Sequence, residues 1–171
     1  MDFIISFVVA AVLAGTPLLF GTLGEIMHER VGHLNLGVEG MMSIGALAGF
    51  MVGYQTDSFV LAIIASFIAG ALCALIYALL TITLMANQTV SGLTLTIFGI
   101  GLTNFLGYHY LSLSEEGTLK LPKGITETMR SLEIPGLSDL PVIGPMLFSY
   151  NPFVYIGIVI AVIFGIVKRR D

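Results

Sequence analysis

Hydrophobic and polar positions fall into blocks along this chain, with long apolar runs separated by short polar breaks. A helix needs about 20 apolar residues to cross the hydrocarbon core of a bilayer. Phe3 to Leu23, Leu34 to Tyr54, Phe59 to Ala86 and Val90 to Leu111 meet or approach that length. Pro152 to Val167 is a shorter fifth run, roughly 24 Å as a helix at 1.5 Å per residue. Gln55-Thr56-Asp57-Ser58 and Asn87-Gln88-Thr89 read as turns. Ser112 to Asn151 is a polar insertion well beyond ordinary connection lengths. Within it Pro122, Pro135, Pro141 and Pro145 break any long helix, whereas Ile134, Leu137, Leu140, Ile143 and Met146 recur about every three residues and predict short amphipathic turns on the membrane surface. The expected fold is all-α: a polytopic integral membrane protein with about five transmembrane helices and one long outer loop.

Composition agrees with that pattern. The 171 residues are 56% hydrophobic and 11% charged, where soluble domains carry about 25% charged residues. Seven Lys plus Arg and a net charge of -4 supply no basic surface for nucleic acid. Cys73, the only cysteine, lies inside an apolar run and reads as a small buried hydrophobe with no disulfide partner in the chain. Met1-Asp2-Phe3-Ile4-Ile5 lacks the basic start of a secretory signal, so the first run is expected to be retained as a helix.

Cytoplasmic flanks carry an excess of Lys and Arg, and Lys168-Arg169-Arg170 therefore places the carboxyl terminus in the cytoplasm. Counting back through five spans puts Ser112 to Asn151 outside, Asn87 inside, Asp57 outside, Arg30 inside and the amino terminus outside. Lys120, Lys123 and Arg130 oppose this, diluted by Glu115, Glu116, Glu127, Glu133 and Asp139.

Small residues form stripes on two spans. Gly45, Gly49 and Gly53 recur every fourth residue, as do Ala62, Ser66, Gly70, Ala74 and Ala78. Such stripes let backbones approach closely in lipid, so they are expected to serve helix packing and no chemistry.

Two polar constellations interrupt the apolar pattern. In Glu29-Arg30-Val31-Gly32-His33-Leu34-Asn35-Leu36-Gly37-Val38-Glu39-Gly40-Met41-Met42, a carboxylate enters a span, where a central charge costs on the order of 3 kcal/mol. Asn35 and Glu39 would share a helix face, and Gly32, Gly37 and Gly40 loosen the backbone, as at the broken helix of a transporter. The alternative is structural, because a helix starting at Leu34 places Glu39 only about 8 Å into the span. In the second constellation, Asn87-Gln88-Thr89-Val90-Ser91-Gly92, followed by Thr96, Gly99 and Thr103, polar groups descend one helix side next to Asn104. They line a polar path or bond across to another helix. Asn35, Glu39, Asn87, Gln88, Ser91, Thr96 and Thr103 are the candidate pathway residues.

Other chemistries find little footing. His28 and His33 are five residues apart, roughly 140° around a helix, so they do not form the one-face pair of a zinc protease. No phosphate loop of the G-x-x-x-x-G-K-[ST] type occurs, and no Ser, His and carboxylate set suggests a hydrolase. No metal, cofactor or catalytic residue is expected.

The stretch Glu29 to Met42, followed by Ala86-Asn87-Gln88-Thr89-Val90-Ser91-Gly92-Leu93, resembles the membrane permease subunits of bacterial ABC importers of the ribose and branched-chain amino acid class. The similarity is greatest to the nucleoside branch, served by lipoprotein binding proteins of the basic-membrane-protein type. The resemblance covers essentially the whole chain and implies one permease domain over 1–171, with 112–151 as an extracytoplasmic loop facing the binding protein. It implies a second permease subunit, a separate ABC ATPase subunit that binds the ATP, and an extracytoplasmic substrate-binding lipoprotein. Permeases of this kind run to about twice this length, and a cytoplasmic coupling loop follows the span that ends here at Val167. The chain is therefore expected to be the amino-terminal part of a longer architecture. The rival expectation is a small non-transporting membrane protein that modulates a full-length permease through its glycine stripes.

Overall fold

The computed structural model describes residues 2–113, 118–129 and 150–168. Their regular structure is helical: α1 (Asp2–Arg30), α2 (Val38–Thr56), α3 (Phe59–Ala78), continued by a π-helical turn (Leu79–Thr83), α4 (Gln88–Leu113), α5 (Lys123–Thr128) and α6 (Pro152–Lys168). Each of the five apolar runs contains a helix, and the chain is a polytopic membrane protein. Three of these, Phe3–Arg30, Phe59–Thr83 and Gln88–Leu113, are long and apolar enough to cross a membrane, and Pro152–Ile166 is a shorter apolar helix. α2 has 19 residues, but Glu39, Gln55 and its glycines dilute the hydrophobic run.

The chain divides into two compact units, Met1–Gly24 with Met129–Asp171, and Glu25–Thr128. α1 contributes to both. In the first unit, the side chains of Leu19 and Phe20 lie 3.3 Å from where a Cβ on Gly157 would sit. Asn151 caps α6, its Oδ1 accepting from the Val154 N–H at 3.2 Å. The periodic positions Ile134, Leu137, Leu140, Ile143 and Met146, and the basic residues Arg169 and Arg170, lie outside the described residues.

The second unit is organised by α2, which packs against both α3 and α4. Its glycine stripe faces α3: a Cβ on Gly49 would collide with the Ser66 hydroxyl and sit 3.0 Å from the Ala62 carbonyl, and one on Gly45 would lie 3.1 Å from the Ser66 carbonyl. Toward α4 the backbones come closer still. A Cβ on Gly40 would lie 2.5 Å from the Leu95 carbonyl oxygen, and one on Gly99 only 2.6 Å from that of Gly40. Below this crossing Met41, Cys73, Tyr77 and Leu95 form the buried core, with Ala74 against it. α5 packs near the far end of α2, placing Ile125 Cδ1 2.9 Å from a Cβ on Gly53.

Three local features differ from the periodic pattern. α1 continues past Leu23 to Arg30 and stops at Gly32, whose φ of +80° is easy only for glycine. There the His33 N–H donates to the His28 carbonyl and the Gly32 N–H to that of Glu29, the paired bonds of a Schellman cap. α2 starts at Val38 rather than Leu34, leaving 31–37 outside any helix. The third span is not one α-helix to Ala86. After Ala78 it widens to i→i+5 bonding, with the Leu84 N–H on the Leu79 carbonyl, and then turns through Met85 at φ 51°.

Candidate functional site

An unwound segment in a membrane protein must satisfy its backbone from elsewhere, because lipid offers no hydrogen bonds. Residues 31–37 do so with side chains from three helices. The Tyr77 hydroxyl of α3 donates to the Leu34 carbonyl at 2.6 Å, while the Asn35 N–H donates to Glu25 Oε1 of α1 at 2.7 Å. Those two backbone groups belong to one peptide, which is therefore held at both ends. The peptide between Leu36 and Gly37 is held likewise: Thr96 Oγ1 of α4 donates to the Leu36 carbonyl at 2.7 Å, and the Gly37 N–H donates to Asn35 Oδ1 at 2.9 Å. Gln88, at the start of α4, accepts from the Leu34 N–H through Oε1 at 2.9 Å, and its Nε2 lies 3.0 Å from His33 Nδ1.

Close approach supports this clasp. A Cβ on Gly92 would lie 2.8 Å from the Leu36 nitrogen and 3.0 Å from that of Gly37, so α4 runs directly against the segment. Tyr77 is 2% exposed and Asn35 4%. The His28 ring meets Tyr77 edge-on, with centroids 6.4 Å apart. Glu25 Oε2 is buried and has no hydrogen-bond partner among the described residues. An unsatisfied carboxylate oxygen in such surroundings is a costly feature.

The two sequence motifs thus meet in space, with Asn35, Gln88 and Thr96 in one hydrogen-bonded cluster. The expected face shared by Asn35 and Glu39 is not formed. Asn35 is in the unwound segment and buried, whereas Glu39 is exposed in the first turn of α2, because that helix begins four residues later than the apolar pattern implies. Asn87 is exposed and caps α4, its Oδ1 accepting from the Val90 N–H at 3.1 Å. Ser91 is half-buried in the first turn of α4. Thr103 lies two turns beyond Thr96, its Oγ1 buried and without a partner among the described residues. The sequence reading missed Glu25, His33 and Tyr77. Glu25 was legible as an ionisable group just after an apolar run, and Tyr77 as a phenol that needs a partner inside one.

Glycine-mediated helix crossings and a broken, side-chain-satisfied segment are the architecture of a polytopic integral membrane protein. The chain belongs to the family described as branched-chain amino acid transport system / permease component, which matches residues 7–169. It is 37% identical over 158 residues to a putative glucose ABC transporter permease protein of Haloferax volcanii, covering 92% of this chain and 46% of that protein. Similarity to the guanosine ABC transporter permease protein of Bacillus subtilis is 37% over 153 residues, covering 85% and 46%. A nucleoside ABC transporter permease protein of Lactococcus lactis is 30% identical over 155 residues, covering 86% and 47%. The chain spans just under half the length of these relatives. No solved structure matches it.

Proposed function

We propose that this chain forms part of the membrane pathway of an ABC importer for a nucleoside or a similar small polar solute. The observation that carries the reading is the clasped segment 31–37, where three helices bring amide, hydroxyl and carboxylate groups to an interruption between α1 and α2. Asn35, Gln88, Ser91, Thr96 and Thr103 belong to or extend from this polar region, with Glu39 and Asn87 at its margin. Two of the relatives above are named for guanosine or nucleoside transport and one for glucose, so the solute class is polar and hydroxyl-rich. An ABC ATPase, a second permease subunit and an extracytoplasmic binding lipoprotein complete the assembly, with ATP bound by the ATPase. The carboxyl terminus lies in the cytoplasm and 112–151 outside. No catalytic step is assigned to this chain.

The modulator reading gains less support, because α3 of the same chain already occupies the glycine stripe of α2. The test is ATP-driven uptake of labelled guanosine by the complete transporter, with glucose as competitor. Asn35→Ala and Glu39→Ala are expected to reduce uptake. Unchanged uptake in both, at equal expression, overturns the assignment of the pathway to this region.

A further inference from the structure

The peptide joining Leu34 to Asn35 is held by two side chains that no sequence motif contains. Tyr77 of α3 binds its carbonyl and Glu25 of α1 its N–H, at 2.6 and 2.7 Å. Tyr77 is fully buried and anchored in the core cluster with Met41, Cys73 and Leu95. Packing against Met41 of α2 and Leu95 of α4 therefore places it independently of its bond to the segment. Glu25 keeps its other oxygen buried and, among the described residues, without a partner, so the carboxylate is positioned for the bond to the Asn35 N–H.

We propose that Glu25 and Tyr77 are positioning residues: together they clip the Leu34–Asn35 peptide and so set the geometry of the polar region, without touching the solute. This rests on the transport reading above. A peptide gripped at both ends couples α1 and α3 to the segment that leads into α2, so motion of these helices relative to one another reaches Asn35 directly. Loss of the clip then slows the transport cycle and leaves recognition of the solute in place. The chemistry also separates the two oxygens of Glu25. A glutamine keeps one carbonyl acceptor for the Asn35 N–H and puts a neutral amide where the unpartnered oxygen lies. An alanine removes the acceptor altogether.

Two readouts on the complete transporter test this. The first is amide hydrogen exchange of residues 31–37, which does not depend on transport. Glu25→Ala is expected to speed exchange at Asn35 by about tenfold, the scale of a lost hydrogen bond to a charged group, Tyr77→Phe to speed it less because it frees only the Leu34 carbonyl of the same peptide, and Glu25→Gln to restore protection. The second is solute-dependent uptake, in which Tyr77→Phe and Glu25→Ala lower kcat several-fold with KM held, and Glu25→Gln recovers most of the rate. Unchanged exchange in both deletion variants overturns the clip, whatever uptake does. Faster exchange with a raised KM and an unaltered kcat overturns the positioning role in favour of solute contact. Faster exchange in the two variants, together with a correctly assembled wild-type transporter that takes up no polar solute, refutes the transport reading and leaves the clip standing.

Discussion

The crossing of α2 and α4 permits a sharp prediction. In Gly40→Ala the new methyl would sit 2.5 Å from the Leu95 carbonyl oxygen and 2.6 Å from Thr96 Cα. Unstrained carbon contacts lie at about 3.5–4.0 Å, so α4 must retreat by about 1 Å. Its neighbours here are backbone atoms, and no flexible side-chain end can give way. Overpacking costs about 1–3 kcal/mol, and a backbone clash belongs at the top of that range. Alanine returns about 1 kcal/mol through its better helix propensity. The net loss is about 2 kcal/mol, or a fall in Tm of about 4–8 °C for a chain of this size. Thermal unfolding in detergent measures it, with Gly101→Ala as the control. Gly101 lies on α4 with nothing within 4 Å of its Cβ position, so that substitution should be neutral or stabilising. Equal Tm values for the two variants would refute the reasoning, because they would show that the helices do not meet where their glycines place them.

Two further outcomes follow from local geometry. Asn87→Ala removes the N-cap of α4 and should cost about 1 kcal/mol, whereas Asn87→Asp keeps the acceptor and the stability; thermal unfolding in detergent separates the two, and equal loss in both would deny the cap. Cys73 is 6% exposed within the core cluster, so a maleimide should label it slowly in the folded chain and rapidly after denaturation in SDS, with fast labelling of the native chain counting against the packing of α2 on α3.

Apolar runs marked where each of the five longer helices lies, and the three long enough to cross a membrane were legible because lipid demands about 20 hydrophobic residues per crossing and imposes that demand locally. The glycine stripe of α2 was legible for a related reason: a missing side chain is useful only where another backbone comes close, and Ser66 and Ala62 of α3 are what approach it. The two polar motifs were equally visible. Their relation was not, since Gln88 meets Leu34 across 54 residues of chain and no periodicity encodes such a contact.

What only the tertiary structure decided was the use of the polar groups that the opening motif contains. Hydrophobic patterning started the second helix at Leu34 and gave Asn35 and Glu39 one face, but the backbone from 31 to 37 found better partners in Glu25, Tyr77, Gln88 and Thr96 than in its own helix. Asn35 was thereby buried, and Glu39 was left on an exposed first turn. A peptide group shielded from water takes whichever satisfied arrangement its neighbours offer, and those neighbours lie on three helices, two of them remote in the chain. Hydrophobicity, being local, determined which segments form helices; hydrogen-bond satisfaction, being collective, determined where one of them breaks.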